Sequence, residues 1–504
     1  MDRKQILTFI AMGIGVFIIA VDITSINVAL PAIEKSFAVS LGTVEWIING
    51  YLLAFGVLVV ITGRFADMYG RKRVFVFGAA IFALASLIGG MANDAGLLIA
   101  MRVFQGVAAA VLWPAIVGIC YSSVSDSQKS YALGLIFGVT GVGNSIGPLI
   151  GGVLTEYLSW RWVLFINVPL AVLAGLITIY IVSEQSGEDE DKGIDVYGII
   201  TLSLALVSFL YAIDQSTVWG WLSINTIGLI ILSLVSLLFF IKLEKKQEIA
   251  LIPELVMKNR NFMMYCLVIA TLVSSFFCIF LYMPQYFEKF RHYTPIQAGA
   301  AMVPCVLIYA IISPLAGKIY NRLGSKNSIL LGMVLVGAGV IGVVALGFEK
   351  NYLYIIPPFL LAGAGLGIGL VSITTAGIGT VRESMASLAG GIIMMCQLTG
   401  AALGIAIATT IFIDTSINDF VGNISELGLN LSSADIGNVK SFILGSSTEQ
   451  MLENQLGPSM MEKLLPYIRE SYVKGLRLGI GFSGLLILIG AVITLFFTKQ
   501  DDSK

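Results

Sequence analysis

Gly63-Arg64-Phe65-Ala66-Asp67-Met68-Tyr69-Gly70-Arg71-Lys72 separates two long apolar runs. In the second half of the chain, Gly317-Lys318-Ile319-Tyr320-Asn321-Arg322-Leu323-Gly324-Ser325-Lys326 does the same. Each stretch has a glycine, an Asp or Asn four residues on, a second glycine and a basic residue close behind. A second echo sets Gly147-Pro148-Leu149-Ile150-Gly151 against Gly400-Ala401-Ala402-Leu403-Gly404 at almost the same offset. Self-similarity at a fixed separation predicts two homologous halves, and the first pair of stretches reads as equivalent loops on one face.

The composition says what those halves are made of. Of 504 residues, 57% are hydrophobic and 12% charged, about half the charge of a soluble domain. At about twenty residues per crossing, this is material for about fourteen membrane spans. A soluble enzyme, a nucleic-acid binder and a disordered scaffold are excluded, because none could be built with so little charge. Apolar runs fall at 7–31, 44–62, 74–92, 97–120, 130–156, 162–182, 194–213, 222–242, 262–287, 296–317, 328–348, 353–378, 385–413 and 475–498. The first is too long for a cleavable signal core and reads as a span.

The fold class predicted is an all-α membrane protein of fourteen spans: two six-helix bundles with two inserted central helices. The bundles are placed at 1–183 and 261–504, and residues 184–260 hold an acidic linker, the inserted pair and a basic connector. Residues 414–474 read as a long outer loop, an ordinary surface loop first and, as the alternative, one whose apolar stretches such as Met460 to Leu465 form short amphipathic helices on the membrane or over the outer mouth. Lys/Arg gather in the loops on the side of the N-terminus, among them Arg71–Arg73 and Lys242–Arg260. That places both termini in the cytoplasm. Parallel repeats of this kind mark one large class of secondary transporter.

The remaining chemistry is sparse. Net charge is −1 and there is one histidine, His292, so no multi-histidine metal centre is expected. Cys120, Cys266, Cys278, Cys305 and Cys396 form no CxxC pair and read as packing residues. Ionisable groups at membrane depth are functional hypotheses by default. Asp22 stands about 22 Å up a helix entering from inside, and Arg102 about 7 Å down one entering from outside. In a core of about 30 Å the two depths agree. A nearby guanidinium favours the ionised carboxylate and burial favours the neutral one. Changing their separation is thus a way to load and release a proton; the alternative is a purely structural ion pair. Glu45, Glu156, Asp214, Glu288 and Glu383 lie near span ends and read as interfacial carboxylates. Span five carries Gly143, Gly147, Pro148, Gly151 and Gly152, a pattern for tight helix packing with a kink.

These segments resemble the signatures of the major facilitator superfamily, and more narrowly of its fourteen-span drug:proton antiporters (the EmrB/QacA type). Gly63 to Arg73 matches the superfamily's inner-loop signature. Arg102, Gln105 and Gly106 match the span-four signature linked with proton transfer. Gly143, Gly147, Pro148, Gly151 and Gly152 match the antiporter signature. Asp22 to Pro31, together with Trp160-Arg161-Trp162 and Asn167-Val168-Pro169, matches the fourteen-span group. The resemblance implies proton coupling by Asp22 and Arg102 and gating by Gly63, Asp67, Gly70 and Arg71. Asp67 would then sit against the start of span thirteen when the inner gate is shut. Asn321 and Ser325 stand where the first copy has Asp67 and Arg71, so a symmetric latch is not expected.

The function this implies is proton-driven export of lipophilic compounds by alternating access, in a bacterial plasma membrane. Deep acids are scarce in the second half, which points to monovalent cations or neutral amphiphiles as substrates. An exporter of a lipid, fatty acid or metabolite on the same scaffold is the alternative, with a non-transporting sensor or scaffold behind it. Apolar, aromatic and adaptable side chains suit a drug pocket. Candidates are Trp46, Trp113, Tyr282, Met283, Tyr286, Met394, Met395 and Gln397, with Asn27 and Gln105 as polar lining. No enzyme chemistry, cofactor, metal or nucleic-acid partner is expected. Protons, small amphiphiles and the lipid bilayer are the expected partners, and an accessory membrane-fusion protein is left open.

Overall fold

A computed structural model describes residues 2–39, 41–184, 193, 195–247, 250–346, 348, 351–426, 431–444 and 449–497. The acidic linker anticipated at 183–193 lies largely outside the described residues. Among the described residues, eighteen α-helices follow one another. The first half holds α1 (Arg3–Phe37), α2 (Leu41–Tyr69), α3 (Arg71–Gly90), α4 (Ala95–Ser122), α5 (Lys129–Tyr157), α6 (Arg161–Phe165) and α7 (Asn167–Ile181). The inserted pair is α8 (Val196–Trp219) and α9 (Ile224–Glu244), followed by the short α10 (Glu254–Met257). The second half holds α11 (Arg260–Arg291), α12 (Pro295–Ala301), α13 (Val303–Leu346), α14 (Ile356–Gly379), α15 (Ala386–Glu426), α16 (Ser433–Leu444), α17 (Glu449–Leu456) and α18 (Pro458–Phe497). Helix is what a bilayer demands, since each backbone group must find its partner within the segment. Polar residues at the margins start the helices: Asp94 accepts from Leu97 N, and Asn259 from Phe262 N.

Among the described residues, thirteen helices are long and apolar enough to cross a membrane. One of them, α13, has 44 residues, about 66 Å and twice the hydrocarbon core. It bends at Gly324 (φ 76°, ψ 172°), so it supplies two crossings and the count reaches fourteen. The equivalent glycine of the first half, Gly70, has φ 102° between α2 and α3. Both conformations are open in practice only to glycine. The two quoted stretches are therefore not loops: helix continues to the second glycine, and that one residue makes the turn.

A second correction concerns 414–474. Helix α15 runs on to Glu426, α18 begins at Pro458, and α16 and α17 lie between them. The helical ends pack round an aromatic core. Phe290, Phe412 and Tyr472 meet edge to face at 4.8–4.9 Å. Lys289 Nζ donates to the carbonyls of Phe442 (2.6 Å) and Ile443 (2.9 Å) at the end of α16. Lys4 Nζ to Ser183 Oγ (2.6 Å) and Lys326 Nζ to Leu495 O (2.6 Å) tie the start of α1 and the end of α18 to the face that carries both glycine turns. That face is called inner below, after the distribution of Lys/Arg.

Candidate functional site

The depths computed for Asp22 and Arg102 bring them together. Arg102 Nη1 donates to Asp22 Oδ2 at 2.5 Å, and the two side chains are 1% and 0% exposed. Asn167 Nδ2 (2.8 Å) and Gln105 Nε2 (3.3 Å) both donate to Asp22 Oδ1. Gln105 reaches on to Ser86 Oγ (2.8 Å) and accepts from Arg102 Nη1 (3.0 Å). Arg102 Nε donates to Ile47 O (3.0 Å), and its guanidinium lies 4.5 Å from the centre of the Tyr51 ring. Side chains from α1, α2, α3, α4 and α7 thus surround one carboxylate. A buried carboxylate is tolerable only with a counter-charge and donors, and here it has a cation and two amides. Ser86 and Tyr51 were not singled out from the sequence, and Asn167 was named only within the Asn167-Val168-Pro169 motif, with no link to Asp22. Asn167 had a readable signal, being an amide inside an apolar run and costly there without a partner.

The span-five glycines explain why α1 sits where it does. A Cβ at Gly143 would stand 2.7 Å from Ala20 Cβ, one at Gly147 would fall on Thr24 Oγ1, and one at Gly151 would be 2.8 Å from Ser25 Cα. All three press α5 against the stretch of α1 that carries Asp22. Gly152 is at ordinary distance from Val28 (3.8 Å), and Pro148 lies within α5 without ending it. The echo in the second half does the same work: Cβ atoms at Gly400 and Gly404 would meet Ala270 and Ser274 of α11.

A second constellation closes the inner end. Asp67 accepts from Leu388 N (2.8 Å) and Ser387 N (3.2 Å) at the start of α15, and from Arg71 Nε (3.0 Å). The N-terminus of a helix suits an anion. Arg71 continues to Gly118 O (3.1 Å), Ser122 Oγ (2.7 Å) and, across the halves, Glu383 O (2.7 Å). A Cβ at Gly63 would stand 2.8 Å from Ser387 O, so only glycine lets α2 approach α15 this closely. Glu383, read from sequence as interfacial, takes Lys129 Nζ at 2.8 Å from the other half. Lys72 and Arg73 are not in this latch: Lys72 holds Ile179 O (2.7 Å) and Arg73 pairs with Glu184 (3.2 Å). From the second copy, Asn321 Nδ2 donates to Ser127 O (2.7 Å) across the halves. Inner stretches of α4 and α14 are almost wholly buried, whereas α1 beyond Asp22 and α15 beyond Met394 are increasingly exposed. The arrangement is shut at the inner end.

The pocket candidates are dispersed. Gln105 belongs to the Asp22 cluster. Asn27 is exposed and bonds only Ile23 O (3.0 Å). Trp46 faces Tyr211 of α8 at 6.1 Å, and Trp113 is buried on Phe137 at 6.0 Å. Tyr282 bonds Thr409 (2.5 Å), Tyr286 bonds Phe348 O (3.3 Å), and Met283 is buried beside them. Gln397 is buried and Met394 and Met395 are half-buried on α15. All five cysteines are free, four of them buried. Among the described residues no group of His, Cys, Asp and Glu could hold a metal ion.

Comparison with known proteins places this geometry. The sequence profile of the Major Facilitator Superfamily matches residues 12–405. The chain is 31% identical over 399 residues to the puromycin resistance protein of Streptomyces alboniger, covering 78% of this chain and 79% of that one. It is 25% identical over 500 residues to the tetracenomycin C resistance and export protein of Streptomyces glaucescens, covering 99% and 92%. The crystal structure of the human organic anion transporter MFSD10 superposes with a TM-score of 0.63 at 11% identity, over 98% of this chain and all of that one. That last likeness is one of fold.

Proposed function

The chain belongs to the Major Facilitator Superfamily, a multi-pass membrane transporter and not an enzyme, and from that premise we propose that it is a proton-coupled multidrug exporter of the bacterial plasma membrane. Two bacterial relatives carry names of antibiotic resistance or export, which supports drug efflux. The observation that carries proton coupling is the buried Asp22–Arg102 pair with its two amide donors. With the inner end shut, Asp22 has no exposed surface. Separation of α1 from α4 admits a proton from the outer side. Protonation removes the anion that Arg102 needs, so the pair stays parted until the proton leaves inward. Breaking the Asp67 and Glu383 contacts opens the inner end, where a lipophilic monovalent cation or neutral amphiphile binds. Two bundles rocking about a central site perform this exchange.

Reconstitution in liposomes tests the reading. Wild-type protein should move a lipophilic cation against an imposed pH gradient, and Asp22→Asn should lose the dependence on that gradient. Wild-type coupling in Asp22→Asn removes Asp22 from the mechanism. A panel in which lipids or metabolites move and cationic amphiphiles do not turns the proposal to the alternative cargo.

A further inference from the structure

Lys72 and Arg73 stand on the first turn of α3, beside the latch yet outside it. They form the upper edge of a groove of about 450 Å³ between α3 and α7, whose walls are Val76, Phe77, Ala80 and Ile179. Lys72 to Ala80 spans about 12 Å along the helix, so the groove starts at the inner interface and descends into one leaflet only. Phe77 and Ile179 are 63% and 44% exposed.

The charge above the groove is arranged and not scattered. Lys72 Nζ uses one donor on Ile179 O at 2.7 Å, which holds the ammonium over the seam with two donors left. Arg73 meets Glu184 through Nε at 3.2 Å, leaving its terminal nitrogens for a second anion. Lys4 is drawn to the same corner by Ser183 Oγ at 2.6 Å. Lys72 and Arg73 line the groove, and Lys4 and Glu184 stand beside them through Ser183 and Arg73. A cationic rim over an apolar slot is complementary to a molecule with an anionic head and a hydrocarbon tail. Anchoring the helix at the interface accounts for the cations but not for the slot below them.

We propose that the α3–α7 groove binds an anionic phospholipid of the inner leaflet, its phosphate at Lys72 and Arg73 and one acyl chain along Val76, Phe77 and Ala80. Basic pockets between spans on the cytoplasmic side suit such headgroups. The site is independent of the transported cargo and of Asp22.

Native mass spectrometry of the detergent-purified protein with equal phosphatidylglycerol and phosphatidylcholine tests the proposal. Wild type should retain phosphatidylglycerol preferentially. Lys72→Gln should cut that preference about fivefold, the effect of one cation at a membrane surface, and Lys72→Gln with Arg73→Gln should cut it further. Ala80→Trp, which fills the slot and leaves the charges, should lower retention of both lipids. Arg73→Lys should keep the preference, which separates loss of charge from loss of fold. Equal retention of the two lipids by wild type, or an undiminished preference in the double variant, overturns the proposal. Displacement by millimolar glycerol 3-phosphate with no effect of Ala80→Trp also overturns it, since the site would then hold an anion without a tail.

Discussion

Helix α5 meets α1 through Gly147 and Gly151 much as α15 meets α11 through Gly400 and Gly404. Gly70 and Gly324 make the same one-residue turn at the inner face. The backbone contacts are repeated, but the chemistry is not. Between its terminal turns α11 carries no charged residue, and α14 has none at all, whereas α1 and α4 supply Asp22 and Arg102. The latch is uneven in the same direction: Asp67 and Arg71 hold five partners outside their own pair, and Asn321 holds one. Packing sets where two helices can lie against each other and must be kept in both halves. A buried charge is costly wherever it occurs, so it persists only where it is used.

The largest effect expected from this asymmetry lies at Arg102. Arg102→Gln leaves the Asp22 carboxylate buried without its cation, a loss of about 3–5 kcal/mol when one partner of a buried pair is removed. In α11, Ser275→Ala removes a hydroxyl that bonds Ser483 O (2.7 Å) and should cost about 1 kcal/mol. Thermal unfolding in detergent compares the two. Adding Asp22→Asn to Arg102→Gln should restore most of the lost stability, because a neutral pair carries no uncompensated charge. Equal shifts for Arg102→Gln and Ser275→Ala would erase the contrast between the halves.

Much of the first half's site was legible because membrane depth is arithmetic. Residue counts from either end of a span place Asp22 and Arg102 at one level, and a buried ion pair in a low-dielectric core leaves each little choice of partner. The glycines of α5 announced a close contact but not with which helix, since packing partners are a property of the bundle. Glu383 was legible as an interfacial carboxylate but its partner was not, because Lys129 comes from the other half. The region 414–474 reads first as a surface loop, with short amphipathic helices only as the alternative, for a different reason. Its mean apolarity falls below that of a span, but Met461, Leu464, Ile468, Tyr472, Leu476 and Ile480, all buried, recur at three- and four-residue intervals. That is the period of a half-buried helix, visible to a search for stripes and hidden from a search for runs.

The next effect separates packing from chemistry. Gly147→Val forces a branched side chain onto the Thr24 side chain and Gly400→Val onto the Ala270 backbone, and each should cost about 1–3 kcal/mol. Stability should therefore fall alike in the two. Transport should not, because only Gly147→Val pushes α1 and shifts Asp22 relative to Arg102. In liposomes Gly147→Val should flatten the dependence of flux on the pH gradient, while Gly400→Val should lower the rate and keep that dependence. Loss of gradient dependence in both variants would put the coupling into the bundle as a whole.

The smallest effect is at the two copies of the inner turn, where the comparison is cleanest because each turn rests on one positive-φ glycine. Asp67 is an anion bonded to two amide groups of α15 and to Arg71; Asn321 makes one neutral bond. Hydrogen bonds to a charged group contribute about 1.5–3 kcal/mol and neutral ones about 0.5–1.5 kcal/mol. Cys120 reads the result, being buried on α4 two residues beyond the Gly118 carbonyl that Arg71 holds. With the other four cysteines replaced, its alkylation by a permeant maleimide reports how often the inner end opens. Asp67→Asn should accelerate labelling by roughly tenfold to a hundredfold and Asn321→Ala by about two- to tenfold, from the same bond strengths. If Asn321→Ala opened the inner end as readily as Asp67→Asn, the single neutral bond would be as important as the charged clasp, and the two turns would be equivalent in function as well as in form.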